Sequence, residues 1–168
     1  MGAEDWLYFV PYQDDLTAAL KALRLAAFNN LVAPDKHWPD DWPRPTTIEE
    51  LRALLEQEQS YHDGILDLDE RIIGPGSSDE FRAIRRLSQP EMRDFFGTDR
   101  PTRADFEHAY ALRNAPLHPM TGPYGTPGPC PAGCVHLINA PRDGGRCVVL
   151  YGPSGQPAEV AFWGHTGD

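Results

Sequence analysis

The sequence predicts an α+β domain: about four strands in a mixed or antiparallel sheet, with helices packed mainly on one face. Three observations carry that reading. The stretch "DWLYFVPY" at 5–12 is rich in aromatic and β-forming residues; "RCVVLY" and "AEVAFWGH" flank the turn-forming "GPSGQP"; and the intervening segments place apolar residues at helical spacing behind recognisable caps. With 168 residues the chain is long enough to bury about 70% of its unfolded surface. Residues 1–168 are therefore expected to form one domain that needs no disulfide or metal merely to fold.

Taken in order, the first strand ends at Pro11, and alternation puts Leu7 and Phe9 on one face and Trp6, Tyr8 and Val10 on the other. Asp14 or Asp15 caps a helix whose stripe is Leu16, Leu20, Leu23 and Ala27. Four prolines in 31–46 forbid its continuation, leaving a surface connection anchored by Trp38 and Trp42. A capping box at Thr46/Glu49 or Thr47/Glu50 then opens a second helix through Ile48, Leu51 and Leu55. "GILDLDERI" at 64–72 alternates and reads as a second strand.

Residues 74–113 read as three short helices. Ser78 or Asp79 starts the first, Ser88 with Glu91 boxes the second before Gly97 ends it, and Thr102 opens the third. On the first of these, Arg82, Arg85 and Arg86 are expected to share one side with Arg93 nearby, as a solvated face paired with acids rather than as an oxyanion site. A long Pro/Gly-rich loop at 114–145 precedes the C-terminal β-hairpin.

Charge narrows the function classes. The net charge of −10 repels nucleic acid and anionic membranes and favours a basic protein partner. No apolar run reaches the roughly 20 residues of a bilayer span. The acidic start does not read as a secretory signal, and three cysteines without one point to reduced thiols and a cytoplasmic location. Common nucleotide loops, zinc-protease helices and serine-hydrolase elbows are all missing from the sequence.

Three stretches carry chemistry. In "GPYGTPGPCPAGCVH", Cys130 and Cys134 stand at a spacing that zinc tolerates, with His136 available as a third ligand. No second tight ligand pair follows, so the preferred reading is a contact loop with incidental thiols and no cofactor. In "YHDGILDLDER", a strand would project Asp67 and Asp69 from one face about 7 Å apart, with Asp63 in the same parity. At the carboxyl end Trp163 and His165 share a strand face.

The leading expectation is a small acidic binding or accessory protein, for example an inhibitor or immunity-type protein. It would recognise a protein partner through Trp38, Trp42, Trp163 and Asp63. The alternative is a small-molecule isomerase, cyclase or hydrolase under a Pro/Gly-rich lid. That enzyme would use Asp67 or Asp69 as base and His62 or His165 as proton donor.

Overall fold

The computed structural model describes residues 4–57, 64–113, 140 and 144–166. Among these the chain forms β1 (Glu4–Pro11), α1 (Leu16–Leu31), α2 (Ile48–Gln57), a 3₁₀ turn (Ile65–Asp67), β2 (Ile72–Ile73), β3 (Ile84–Arg86), α3 (Gln89–Phe96), α4 (Arg103–Arg113), β4 (Gly144–Tyr151) and β5 (Pro157–Thr166). The fold is α+β, and the strands lie in one mixed sheet ordered β1-β5-β4-β3-β2. Five strands are therefore present, not four. The pairs β1/β5 and β5/β4 are antiparallel, whereas β4/β3 and β3/β2 are parallel. The C-terminal hairpin is β4–β5.

Helices cover both faces of the sheet, where the sequence predicted cover mainly on one. The reason lies in strand parity: β1, β4 and β5 are apolar at odd and even positions alike, which is the pattern of strands buried on both sides. On the first face Trp6, Cys147, Val160 and Phe162 pack with Ala19, Leu20 and Leu23 of α1. On the second face Leu87, Val148, Leu150, Ala161 and Trp163 pack with Phe106 and Ala109 of α4 and with Met92, Phe95 and Phe96 of α3. Phe106 is the hub there, with ring centroids 5.1 Å from Trp163 and 5.5 Å from Phe9, both edge-on.

The helix signals are legible at the atomic level. Asp15 Oδ1 accepts from the amides of Thr17 and Ala18 at 2.9 and 3.0 Å. Ser88 and Glu91 close a complete capping box, and Gly97 ends α3 in the left-handed region at φ 71°, where a Cβ is unfavourable. Thr102 Oγ1 accepts from the Asp105 amide, and the Asp105 carboxylate accepts from the Thr102 amide. Thr47 Oγ1 accepts from the Glu50 amide, while the Glu50 carboxylate accepts from Thr46. The Leu51 stripe packs with Phe28, Ile48, Leu55 and Leu66 in a third cluster.

The expected strand at 64–72 is instead a 3₁₀ turn followed by two strand residues. Ile65 and Leu68, three apart, face the first-face core, while Leu66 points into the third cluster. A strand would have left one of those two clusters unfilled. The carbonyls that a strand would have spent on a ladder are taken by arginines. Leu66 O accepts from Arg24 Nη2 at 3.4 Å and Arg52 Nε at 3.1 Å, and Leu68 O from Arg52 Nη2.

One transverse row of the sheet differs between its two faces. Register aligns Ile72, Ile84, Gly145, Gly164 and Trp6 on the first face. The Trp6 indole packs against the two glycines, close enough that a Cβ on Gly164 would stand 2.4 Å from Cζ2. One residue along, Ile73, Arg85, Arg146, Trp163 and Leu7 form the matching row on the second face.

Candidate functional site

Two regions concentrate polar chemistry: the connection between α1 and α2, and the arginine pair on the second sheet face.

The α1–α2 connection is held from inside. Arg44 Nη1 donates to the carbonyls of Val32 and Ala33 at 2.8 and 2.7 Å, satisfying groups at the α1 terminus. Trp38 and Trp42 meet edge-on at 6.3 Å, and Trp38 Nε1 donates to the Trp42 carbonyl at 3.3 Å. Both indoles are half-buried against the α2 cluster, so they anchor the segment and keep one edge open. Between and beside them Asp35, Asp40 and Asp41 are exposed. These three form no hydrogen bond or ion pair among the described residues, whereas most of the arginines are already engaged. Arg24 pairs with Glu70, Arg52 with Asp69, Arg71 with Glu80, Arg93 with Asp99, and Arg103 with Glu107 and Glu159.

The second region was not read from the sequence as a site. Residues 77–83 are not helical; they belong to the crossover from β2 to β3, exposed through Phe81 and turning inward at Ala83, with Arg82 at φ 57°. Arg85 and Arg86 then point to opposite faces of β3, and Arg85 is buried beside its register partner Arg146. Asp79 bridges the two. Arg146 Nη1 and Nη2 meet its Oδ1 and Oδ2 at 2.6 and 2.8 Å, and Arg85 Nε reaches Oδ1 at 2.9 Å. Glu91 takes the other edge of Arg85, at 2.9 Å from Nη1 and 2.5 Å from Nη2.

Burial alone would raise the Glu91 carboxyl, but Arg85 and the Ser88 amide and hydroxyl outweigh it and bring it to about 2. Asp79 is likewise raised by burial and held below the usual carboxylate range by Arg146 and then Arg85. A cleft of about 260 Å³ opens alongside, lined by Ser77, Ser78 and Ser88 together with Asp79, Arg85 and Glu91. The signal in the sequence was an arginine at the head of the apolar run "RCVVLY" and another inside "AIRRLS": a charge there is buried and must find an acid.

The remaining sequence-predicted residues fall as follows. Asp67 lies in the 3₁₀ turn and Asp69 beyond it, opposite Arg52 Nη1 at 3.5 Å, so they do not share a strand face. Trp163 is fully buried, packed edge-on against Phe106, and presents no binding surface. The backbone of His165 pairs with Asp5 and Gly144, and its side chain lies outside the description. His62, Asp63, Cys130, Cys134 and His136 lie outside the described residues, as does the 114–145 loop apart from Ala140 and from Gly144 and Gly145, which begin β4.

Cys147 is buried, and that burial pushes its thiol up to about 12. Among the described residues no group of three or more His, Cys, Asp or Glu is arranged to hold a metal ion. No helix there is long and apolar enough to cross a membrane. No family model, curated protein or solved structure matches the chain.

Proposed function

We propose that the protein is a binding protein that recognises a basic partner protein through the α1–α2 connection, with the Trp38–Trp42 pair as anchor and Asp35, Asp40 and Asp41 as its charged rim. The supporting observation is an asymmetry in pairing. Several arginines that would neutralise the surface are engaged elsewhere, while these three acids are exposed and have no partner among the described residues around two half-buried indoles. Residues 33–50 carry five acids against two bases. Half-buried tryptophans lose little side-chain freedom on docking, and surrounding charge of one sign accelerates encounter with a basic surface. An inhibitor or immunity-type protein is the concrete form this takes.

The test begins with partners retained by the immobilised chain and released by salt. A purified partner is then titrated against wild type, Trp38→Ala, and the triple variant Asp35→Asn, Asp40→Asn, Asp41→Asn. The expected result is binding that weakens with ionic strength, falls about tenfold or more in Trp38→Ala, and loses most of its salt dependence in the triple variant. Binding indifferent to salt and to both variants refutes the proposal.

A further inference from the structure

The two carboxylates that neutralise Arg85 and Arg146 are held very differently. Glu91 belongs to the α3 capping box, with the Ser88 amide and hydroxyl each 2.8 Å from Oε2, so the helix fixes it in place. Asp79 hydrogen-bonds only to the two arginines among the described residues, and it hangs from residues 74–80, which are exposed throughout. Its side chain is 37% exposed, against 9% and 6% for the arginines it joins.

Two guanidinium groups buried side by side in a sheet are costly compared with apolar residues of similar size. The register of β3 and β4 nonetheless sets the two residues side by side. Arg146 Nε adds a buried N–H with no partner, so Asp79 does not exhaust the donors of the pair. The cleft beside Asp79 supplies the hydroxyls of Ser77 and Ser78, that of Ser88 being held in the capping box, and room for a short chain.

We propose that the Arg85–Arg146 pair is a binding site for a small polar monocarboxylate, and that Asp79 is a resident stand-in which the ligand's carboxylate displaces. The seat is shaped for a carboxylate because one already occupies it in two-pronged contact with Arg146. Glu91, fixed on the far edge of Arg85, repels a doubly charged phosphate more strongly than a single carboxylate. Ser77 and Ser78 suit hydroxyl substituents on the ligand. The site lies apart from the tryptophan connection and stands or falls independently of it.

Displacement sets the affinity. A tethered carboxylate competes at an effective concentration of roughly millimolar or above, so wild type binds weakly and removal of the competitor tightens binding. The probes are lactate and gluconate, with phosphate as a counter-probe and chloride at matched ionic strength. They are followed through the backbone amides of 76–80 and the side-chain Nε resonances of Arg85 and Arg146.

The expected result is a saturable shift with lactate or gluconate in wild type. It tightens about tenfold or more in Asp79→Ala or in the milder Asp79→Asn, and is lost in Arg146→Lys, which keeps the charge and removes the fork. Wild-type shifts no different from those in chloride overturn the proposal. So does binding undiminished in Arg146→Lys, or affinity unchanged in both Asp79 variants. Phosphate binding as tightly as the carboxylates overturns the assignment of the ligand.

Discussion

Replacing Gly164 with alanine tests whether Trp6 is locked across β4 and β5. The added Cβ would stand 2.4 Å from Trp6 Cζ2, 2.7 Å from Cε2 and 2.6 Å from the Gly144 carbonyl oxygen. Ordinary contact starts near 3.4 Å, so roughly 1 Å of clearance is missing on both sides. The ring cannot retreat freely, because it is packed into the first-face core, and the carbonyl belongs to a paired strand. Overpacking of this kind costs about 1–3 kcal/mol, and expelling the indole would approach the ~3–5 kcal/mol of a Trp→Ala deletion.

We expect about 3 kcal/mol for Gly164→Ala, a fall in Tm of roughly 6–12 °C for a chain of this length. Gly145→Ala is the graded control. Its nearest contacts are 3.0 Å from Ile84 Cγ1 and Trp6 Cη2, and about 1 kcal/mol is expected. Urea denaturation of both variants, repeated in a Trp6→Leu background, separates ring from carbonyl. If the indole is the obstacle, the cost of Gly164→Ala falls by more than about 1 kcal/mol when Trp6 is shortened. A loss below about 0.5 kcal/mol in the wild-type background would show that the ring does not lie where the reasoning puts it.

Acid stability should follow Glu91. Its carboxyl is lowered from 4.5 to about 2, so the stabilisation is complete above the unfolded value and is lost as pH falls through the folded one. Denaturant midpoints between pH 5 and 2 should therefore drop by the equivalent of about 3 kcal/mol, with a shallower decline in Glu91→Gln; parallel curves would refute this. Cys147 should be inert while the chain is folded. In a Cys130→Ser, Cys134→Ser variant, a thiol-specific reagent should label nothing at neutral pH until denaturant is added, because the thiolate is both inaccessible and disfavoured. Rapid labelling of the native variant would place that strand at the surface.

What the sequence disclosed is what short-range physics decides. The cap of Asp15, the box of Ser88 and Glu91, the stop at Gly97 and the β4–β5 hairpin each rest on contacts within a few residues, and each is found. The failures are tertiary. "GILDLDERI" has a period of two, yet Ile65, Leu66 and Leu68 serve two different cores and the carbonyls go to Arg24 and Arg52. Asp79 and Arg146 lie 67 residues apart, and no local rule joins them. Without the strand order, Arg82, Arg85 and Arg86 resembled one solvated helix face; on a strand, alternation sends Arg85 inward and Arg86 out.

That single change of period links the two faces of the sheet. At the Trp6 row, the first face is closed by an indole packed against two glycines, which brings no formal charge to be neutralised, although its buried Nε1 has no hydrogen-bond partner among the described residues. On the second face, the row one residue along carries two guanidinium groups between Ile73 and Trp163, and these do need partners. Glu91 arrives with a helix that the core already holds, so that half is built once α3 docks. Asp79 arrives on a crossover with little apolar anchoring, and Phe81 beside it is 66% exposed. The weakest-held member of a buried ionic cluster is the one an outside carboxylate can replace at least cost, because Arg85 keeps Glu91 and Arg146 regains a carboxylate once the exchange is complete. In the site we propose, the exchangeable charge sits where β3 and β4 run parallel and the crossover between β2 and β3 passes over them.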